Sequence, residues 1–195
     1  MSEQTQHMVA VHEAGHVVAR FAFREWAPPE FSYVTNVPDS ESGSAGHVSL
    51  FPPRSRLDPS VFDFLNDDEL NMELSGFSQR ELEAKLSILL AGEAATFIES
   101  GDRDDVGTGR ENWSGDFESA MDYLERIFSV SDDVESPGNQ AAYHYLESLF
   151  WRTVLLLRQP MWWEKVSAVA NSLSEKRTLS FEECHGICLD DLLER

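Results

Sequence analysis

The first hydrophobic pattern covers residues 5–25, near the start of the chain. Its valines and phenylalanines fall on more than one face of a helix, which is typical of a helix that is buried on most sides. The stretch contains Gly15 but no proline, and Pro28 and Pro29 follow it. Because proline ends a helix, we predict a buried helix over 5–25.

Two short β-prone stretches come next. FSYVTNVP at 31–38 and GHVSLFP at 46–52 alternate in part between apolar and polar residues, as half-buried strands do. The polar segment DSESGSA between them predicts a hairpin loop. Residues 53–77 are irregular and acidic. We interpret them as a solvated surface excursion with one short helix near 59–66, and the alternative is a loop that borders a cleft.

The remaining pattern is helical. Ser78 and Glu81 have the spacing of a capping box and predict a helix from 78 to about 98. Further helices are predicted over 115–130, 139–158, 160–175 and 181–193, and the last begins with a second capping box at Ser180 and Glu183. The expected fold is mainly α in the α+β sense. It has a small N-terminal sheet or hairpin and a C-terminal helical bundle, within one domain over 1–195.

Charge sets the expected partners. The 195 residues include 35 Asp and Glu against 15 Lys and Arg, so the formal net charge is −20. Nucleic acids and anionic membranes need clustered basic residues, so we expect neither as a partner. The apolar fraction of 42% is ordinary for a globular domain.

Location is predicted from what the chain contains. The N-terminus has no basic stretch followed by an apolar run, so no signal peptide is predicted. No run approaches the roughly 18 apolar residues of a membrane span. Cys184 and Cys188 are the two cysteines, and we expect them to be buried thiols. These features predict a cytoplasmic, reduced protein.

The most specific motif lies inside the first helix and reads His12-Glu13-Ala-Gly-His16. Histidines four residues apart point the same way from a helix, and this spacing suits two ligands of one Zn²⁺ ion. Glu13 follows the first ligand, where its carboxylate can take a proton from a water molecule without binding the metal itself. The motif therefore predicts a hydrolytic zinc site with Glu13 as the catalytic base.

A third protein ligand is needed for such a site, and spacing alone does not choose it. Several acidic residues lie on or next to predicted helices, and each is a candidate: Glu93, Glu99, Asp116, Glu118 and Asp122.

The order of the motifs resembles the peptidase domain of FtsH-type ATP-dependent membrane proteases, over nearly the whole chain. That family has a His-Glu-Ala-Gly-His helix, a hairpin, a Leu-Gly-Gly-Arg-Ala-Ala-Glu helix, a Thr-Gly loop and a helix carrying an aspartate ligand. The corresponding segments here are His12–His16, Tyr33-Val-Thr-Asn-Val-Pro38 with Gly46-His-Val, Leu90-Ala-Gly-Glu-Ala-Ala95, Thr108-Gly109 and Gly115-Asp116-Phe-Glu-Ser-Ala120.

The resemblance implies a zinc metalloendopeptidase. His12, His16 and Asp116 would hold the zinc ion, and Glu13 would be the catalytic base. An extended polypeptide substrate would pair with an edge strand that includes Gly46, His47 and Val48. His47 is also a candidate donor to an oxyanion.

Three functional hypotheses remain open. The first is a stand-alone peptidase that cuts unfolded or flexible polypeptides, since the chain has no phosphate-binding loop of an ATPase. The second is a catalytically silent metal-binding adaptor or regulatory module. This hypothesis is considered because Glu93 and Thr96 replace the family's arginine and glutamate. The third is a peptidase subunit served by an ATPase in trans, with a homo-oligomer as a further expectation.

Overall fold

The computed structural model describes residues 3–27, 31–38, 45–49, 72–101, 115–128, 133 and 135–189. The predicted short helix at 59–66 and most of the acidic stretch 53–77 lie outside these residues. The described part is mostly helical and has a small antiparallel sheet, which confirms the predicted fold class. The helices are α1 (Glu3–Ala22), α2 (Met72–Glu99), α3 (Gly115–Phe128), α4 (Pro137–Leu157), α5 (Pro160–Lys176) and α6 (Phe181–Leu189). The strands are β1 (Tyr33–Thr35), β2 (His47–Ser49) and β3 (Thr178–Ser180).

Helix α1 is the centre of the core. Ala10, Ala14, Val17, Val18 and Phe21 have no exposed surface, so the apolar pattern on several faces did indicate a buried helix. It packs mainly against α2 and α5.

Helices α1 and α2 run antiparallel, as contacts at their two ends show. Arg80, early in α2, stacks over the Trp26 ring just beyond α1, and Glu99 at the end of α2 pairs with His7 near the start of α1. This arrangement places the middle of α2 against the His12–His16 turn.

The sheet has the order β2-β1-β3, with both pairs antiparallel. The two predicted strands are confirmed, although each is shorter than the sequence pattern suggested. The predicted loop between them lies outside the described residues except at its last position. The strand β3 was not predicted. It pairs with β1 through Leu179 opposite Val34, and both side chains are buried.

The two predicted capping boxes have different outcomes. At the start of α6, the Ser180 N–H donates to Glu183 Oε2 (2.9 Å) and the Glu183 N–H donates to Ser180 Oγ (3.3 Å). The prediction there is confirmed. Helix α2 begins at Met72, so the prediction that Ser78 starts this helix is wrong.

The described elements share one hydrophobic core that extends from α1 to α6. Cys184 and Cys188 are free, buried thiols in that core, as expected. The single domain over 1–195 includes segments outside the described residues and stays a prediction. Among the described helices, none is long and apolar enough to cross a membrane.

Candidate metal centre

Two imidazoles from consecutive turns of α1 line one side of the site. The rings of His12 and His16 lie edge to face, with centroids 4.7 Å apart and an interplanar angle of 80°. Their Nε2 atoms are 3.1 Å apart. The spacing of the motif therefore directs one nitrogen of each ring to a common point.

Asp116 completes a triangle of ligand atoms from the first turn of α3. Its Oδ2 atom lies 3.1 Å from His12 Nε2 and 3.2 Å from His16 Nε2. Across the described residues, His12, His16 and Asp116 are the group of side chains that could share one metal ion. Glu93, Glu118 and Asp122 do not belong to it, and Glu99 binds His7 instead.

The triangle fits a zinc ion. Ligand atoms about 2.0–2.1 Å from one tetrahedral zinc ion lie about 3.3–3.4 Å from each other. The three separations of 3.1–3.2 Å are within a few tenths of an ångström of that value. Two imidazole nitrogens and one carboxylate oxygen are also donors that zinc accepts. The side chains of His12 and Asp116 are 21% and 30% exposed, so the site opens to solvent.

A backbone carbonyl sets the tautomer of one ligand. His16 Nδ1 lies 2.8 Å from the Ile88 carbonyl oxygen in α2. A carbonyl only accepts hydrogen bonds, so Nδ1 carries the proton and donates it. In the neutral ring, the lone pair is then on Nε2 and points into the site, which is the usual outer-shell arrangement for a histidine ligand.

Gly92 leaves the space that both imidazoles occupy. A Cβ atom at this position of α2 would lie 2.5 Å from His16 Nε2 and 2.6 Å from His12 Nε2. Any other residue here would displace the two imidazoles. Gly92 is part of the Leu90–Ala95 block and was not predicted to be a functional residue. The available signal was a glycine inside an apolar helix, which usually has a packing or functional reason.

The Asp116 carboxylate stabilises the protonated form of His16. Burial disfavours the charged form of Asp116, but hydrogen bonds with His12 and His16 outweigh it and hold the Asp116 pKa well below its ordinary value. Burial also disfavours a charged His16, yet the hydrogen bond and charge of Asp116 raise the His16 pKa to about 9. The metal-free site at neutral pH is therefore a carboxylate paired with an imidazolium.

Zinc binding should release a proton from His16. Its metal-free pKa of about 9 lies above pH 7.5, so the ring is protonated there and must lose a proton to bind zinc. We expect calorimetric titrations at pH 7.5 in buffers of different ionisation enthalpy to report about one proton released from this residue. The number of protons released from His16 should decline as the pH rises through about 9. A binding enthalpy independent of the buffer would contradict this account of the site.

Glu13 is buried beside the triangle, at 4% exposure. Burial raises the Glu13 pKa above its ordinary value, with partial opposition from His16 and His12. Gly46, just before β2, allows the close approach of this carboxylate, because a Cβ there would lie 2.9 Å from Glu13 Oε1. A raised carboxylate pKa suits a group that takes and returns a proton near neutral pH.

The strand β2 runs from this point along the outside of the described sheet. On one side it pairs with β1, and no described strand lies on its other side. Val48 faces the core opposite Val34. His47 lies on the other face, with its Nε2 atom 3.5 Å from the Tyr33 hydroxyl, and its charge lowers the Glu13 pKa slightly. Gly46 is thus placed next to Glu13, whereas the His47 side chain lies beside Tyr33.

Comparison with known proteins does not assign the chain to a family. No family model matches the chain, and no curated protein matches it either. The likeness to FtsH-type peptidase domains therefore stays a prediction.

Proposed function

We propose that this chain is a zinc metallopeptidase that hydrolyses peptide bonds in unfolded or flexible polypeptides. The observation that carries the proposal is that His12, His16 and Asp116 meet next to the buried carboxylate of Glu13. Asp116 lies 100 or more residues after either histidine in the sequence. A structural carboxylate–histidine cluster would not require Glu13 in the adjacent position.

Each residue has a defined part in the proposed reaction. His12, His16 and Asp116 would hold zinc, which supplies a Lewis acid that polarises the substrate carbonyl and acidifies water. Glu13 accepts a proton from the attacking water on its carboxylate. It then donates that proton to the nitrogen of the leaving amine. The raised Glu13 pKa favours this exchange because burial makes the carboxylate a stronger proton acceptor.

The strand β2 supports the choice of an extended substrate. An extended peptide can add to a sheet edge through main-chain hydrogen bonds. The start of β2 lies against Glu13 through Gly46, so a peptide paired with Gly46, His47 and Val48 would pass the proposed base. Most backbone groups of a folded protein are already paired within its own structure, so we propose unfolded or flexible polypeptides as the substrates.

Removing the metal should abolish activity. We expect the zinc-loaded protein to cleave a labelled, unfolded polypeptide, to lose this activity with a chelator, and to regain it when one equivalent of zinc is added. His12→Ala should lose both zinc and cleavage, because three protein ligands are needed to hold a hydrolytic zinc ion. His144→Ala is the matched control, since that histidine is 68% exposed on α4.

The alternatives give different results in the same assay. Stoichiometric zinc without cleavage of any polypeptide would contradict the peptidase and favour a metal-binding adaptor. Cleavage that requires a purified ATPase and ATP would favour a subunit served in trans. No zinc in the wild-type protein would contradict the metal site itself. The cytoplasmic location remains part of the proposal.

A further inference from the structure

A polar cleft lies away from the metal-ligand triangle, between the first turns of α1, the end of β1 and the end of α5. It has a volume of about 440 Å³. The described residues that line it include no acidic side chain, although the chain carries 35 of them. We call it the α1–α5 cleft, and its polar lining residues are Gln6, His7, Asn36, Asn171, Ser174 and Arg177.

Arg177 has an unusual backbone conformation for an arginine. It follows α5 in the left-handed region, with φ 67° and ψ −25°, where glycine is the usual residue. Its carbonyl accepts hydrogen bonds from the Asn36 N–H (3.1 Å) and from Thr35 Oγ1 (3.0 Å). The contacts with β1 therefore fix this conformation whatever side chain is present. Arginine costs stability here relative to glycine, and its side chain lines the cleft.

Three donors in the cleft are available to a ligand. Within the described residues, the amides of Gln6 and Asn171 and the guanidinium of Arg177 have no hydrogen-bond or ion-pair partner. The other polar groups are already engaged. Asn36 Nδ2 donates to the Leu173 carbonyl, Ser174 Oγ donates to the Ala170 carbonyl, and His7 Nε2 binds Glu99.

These donors suit a carboxylate. A guanidinium presents two parallel N–H groups that match the two oxygens of a carboxylate. Gln6 belongs to the first turns of α1, where the partial positive charge of the helix N-terminus favours an anion. Amide groups from Gln6 and Asn171 add neutral donors around it.

The cleft lies within reach of a peptide bound at the metal centre. Gln6 and Glu13 are seven residues apart on α1, so they share a face and are separated by about 10.5 Å along the axis. An extended peptide covers this distance in about three residues. Asn36 also directly follows Thr35, whose carbonyl lies against Gly46 beside Glu13.

We propose that the α1–α5 cleft binds a carboxylate of the substrate, at least about three residues from the bond that is cut, with Arg177 as the main contact. The inference rests on the proposed peptidase function for its distance from Glu13. A C-terminal carboxylate and the side chain of an Asp or Glu residue share this chemistry, and the experiment distinguishes them.

The test uses zinc-loaded Glu13→Gln protein, in which peptides bind without being cut, at about 0.15 M salt. Three versions of one unstructured, fluorescent peptide are compared: a free C-terminal carboxylate, a carboxamide, and a carboxamide with glutamate near the C-terminus. We expect the carboxylate peptide to bind about tenfold more tightly than the plain carboxamide, as one charge-assisted contact allows. A gain for the glutamate peptide alone would assign the site to an acidic side chain.

Arg177→Gly provides the decisive control. Glycine adopts the left-handed conformation without the steric cost that arginine has there, so this variant should be at least as stable as the parent while losing the preference for a carboxylate. Equal binding of all three peptides by the parent, or an unchanged preference in Arg177→Gly, would overturn the proposal. Absence of cleavage by wild-type protein, with the Arg177-dependent preference intact, would instead contradict the peptidase function and leave the carboxylate site standing.

Discussion

Replacing Glu13 by glutamine is expected to lower kcat/KM for peptide hydrolysis about a thousandfold, within the range of 10²–10⁴ typical for loss of a general base. Glutamine keeps the shape of the side chain but cannot accept or return the proton. Glu13 is not one of the three ligand residues, so the variant should still bind one zinc ion. The measurement is kcat/KM on an unfolded polypeptide, together with the zinc content of the same sample.

Glu118→Gln is the matched control for this variant. It is the same chemical change in an exposed residue of α3, two positions after Asp116, and we expect activity close to the wild type. Stability should not explain a loss in Glu13→Gln, because removing a buried charge whose pKa is raised by burial does not remove a stabilising charge. Full activity in Glu13→Gln would mean that another group moves the proton.

The second large effect is expected from Gly92→Ala. The added methyl group would lie 2.5–2.6 Å from ring atoms of His12 and His16, far inside van der Waals contact. His16 is held by the Ile88 carbonyl and by Asp116, so it cannot move without breaking these contacts. We expect zinc affinity to fall by about 10–100-fold, as it does when groups that orient metal ligands are lost.

Gly115→Ala separates this effect from the general cost of replacing glycine. A Cβ at Gly115 meets no atom within 4 Å, although the next residue is Asp116, the proposed third ligand. Alanine also favours a helix by about 1 kcal/mol over glycine, so neither variant should lose helical content. Zinc affinities within twofold of each other in the two variants would contradict the proposed packing of α2 against the imidazoles.

Local patterns predicted the parts of the fold that depend on nearby residues. The buried helix α1 and the helices α4 to α6 follow from apolar spacing, proline and capping residues. The start of α2 was not predicted correctly, because a capping-box sequence also occurs within helices. Ser78 lies six residues after the start of this helix. Strand β3 is three residues long, and it is a strand because Leu179 packs opposite Val34 of a distant segment.

The residues of the site also differ in how far the sequence predicts them. His12, Glu13 and His16 lie within about one and a half turns of one helix, so their spacing alone indicates a metal site. Asp116 reaches the two histidines only because α3 packs against α2 and α4. The abundance of acidic residues in the chain means that composition does not single it out. Gly92 acts only through the close contact of two helices. Its function depends on which face of α2 meets the imidazoles, and sequence spacing does not give that orientation.

We propose that one zinc ion lies between His12, His16 and Asp116. Anomalous diffraction at the zinc absorption edge, from crystals of the protein purified without added chelator, tests it most directly. We expect one anomalous peak about 2.0–2.2 Å from His12 Nε2, His16 Nε2 and Asp116 Oδ2. Crystals of protein supplied with zinc that show no peak at this position, or a peak held by other residues, would contradict it.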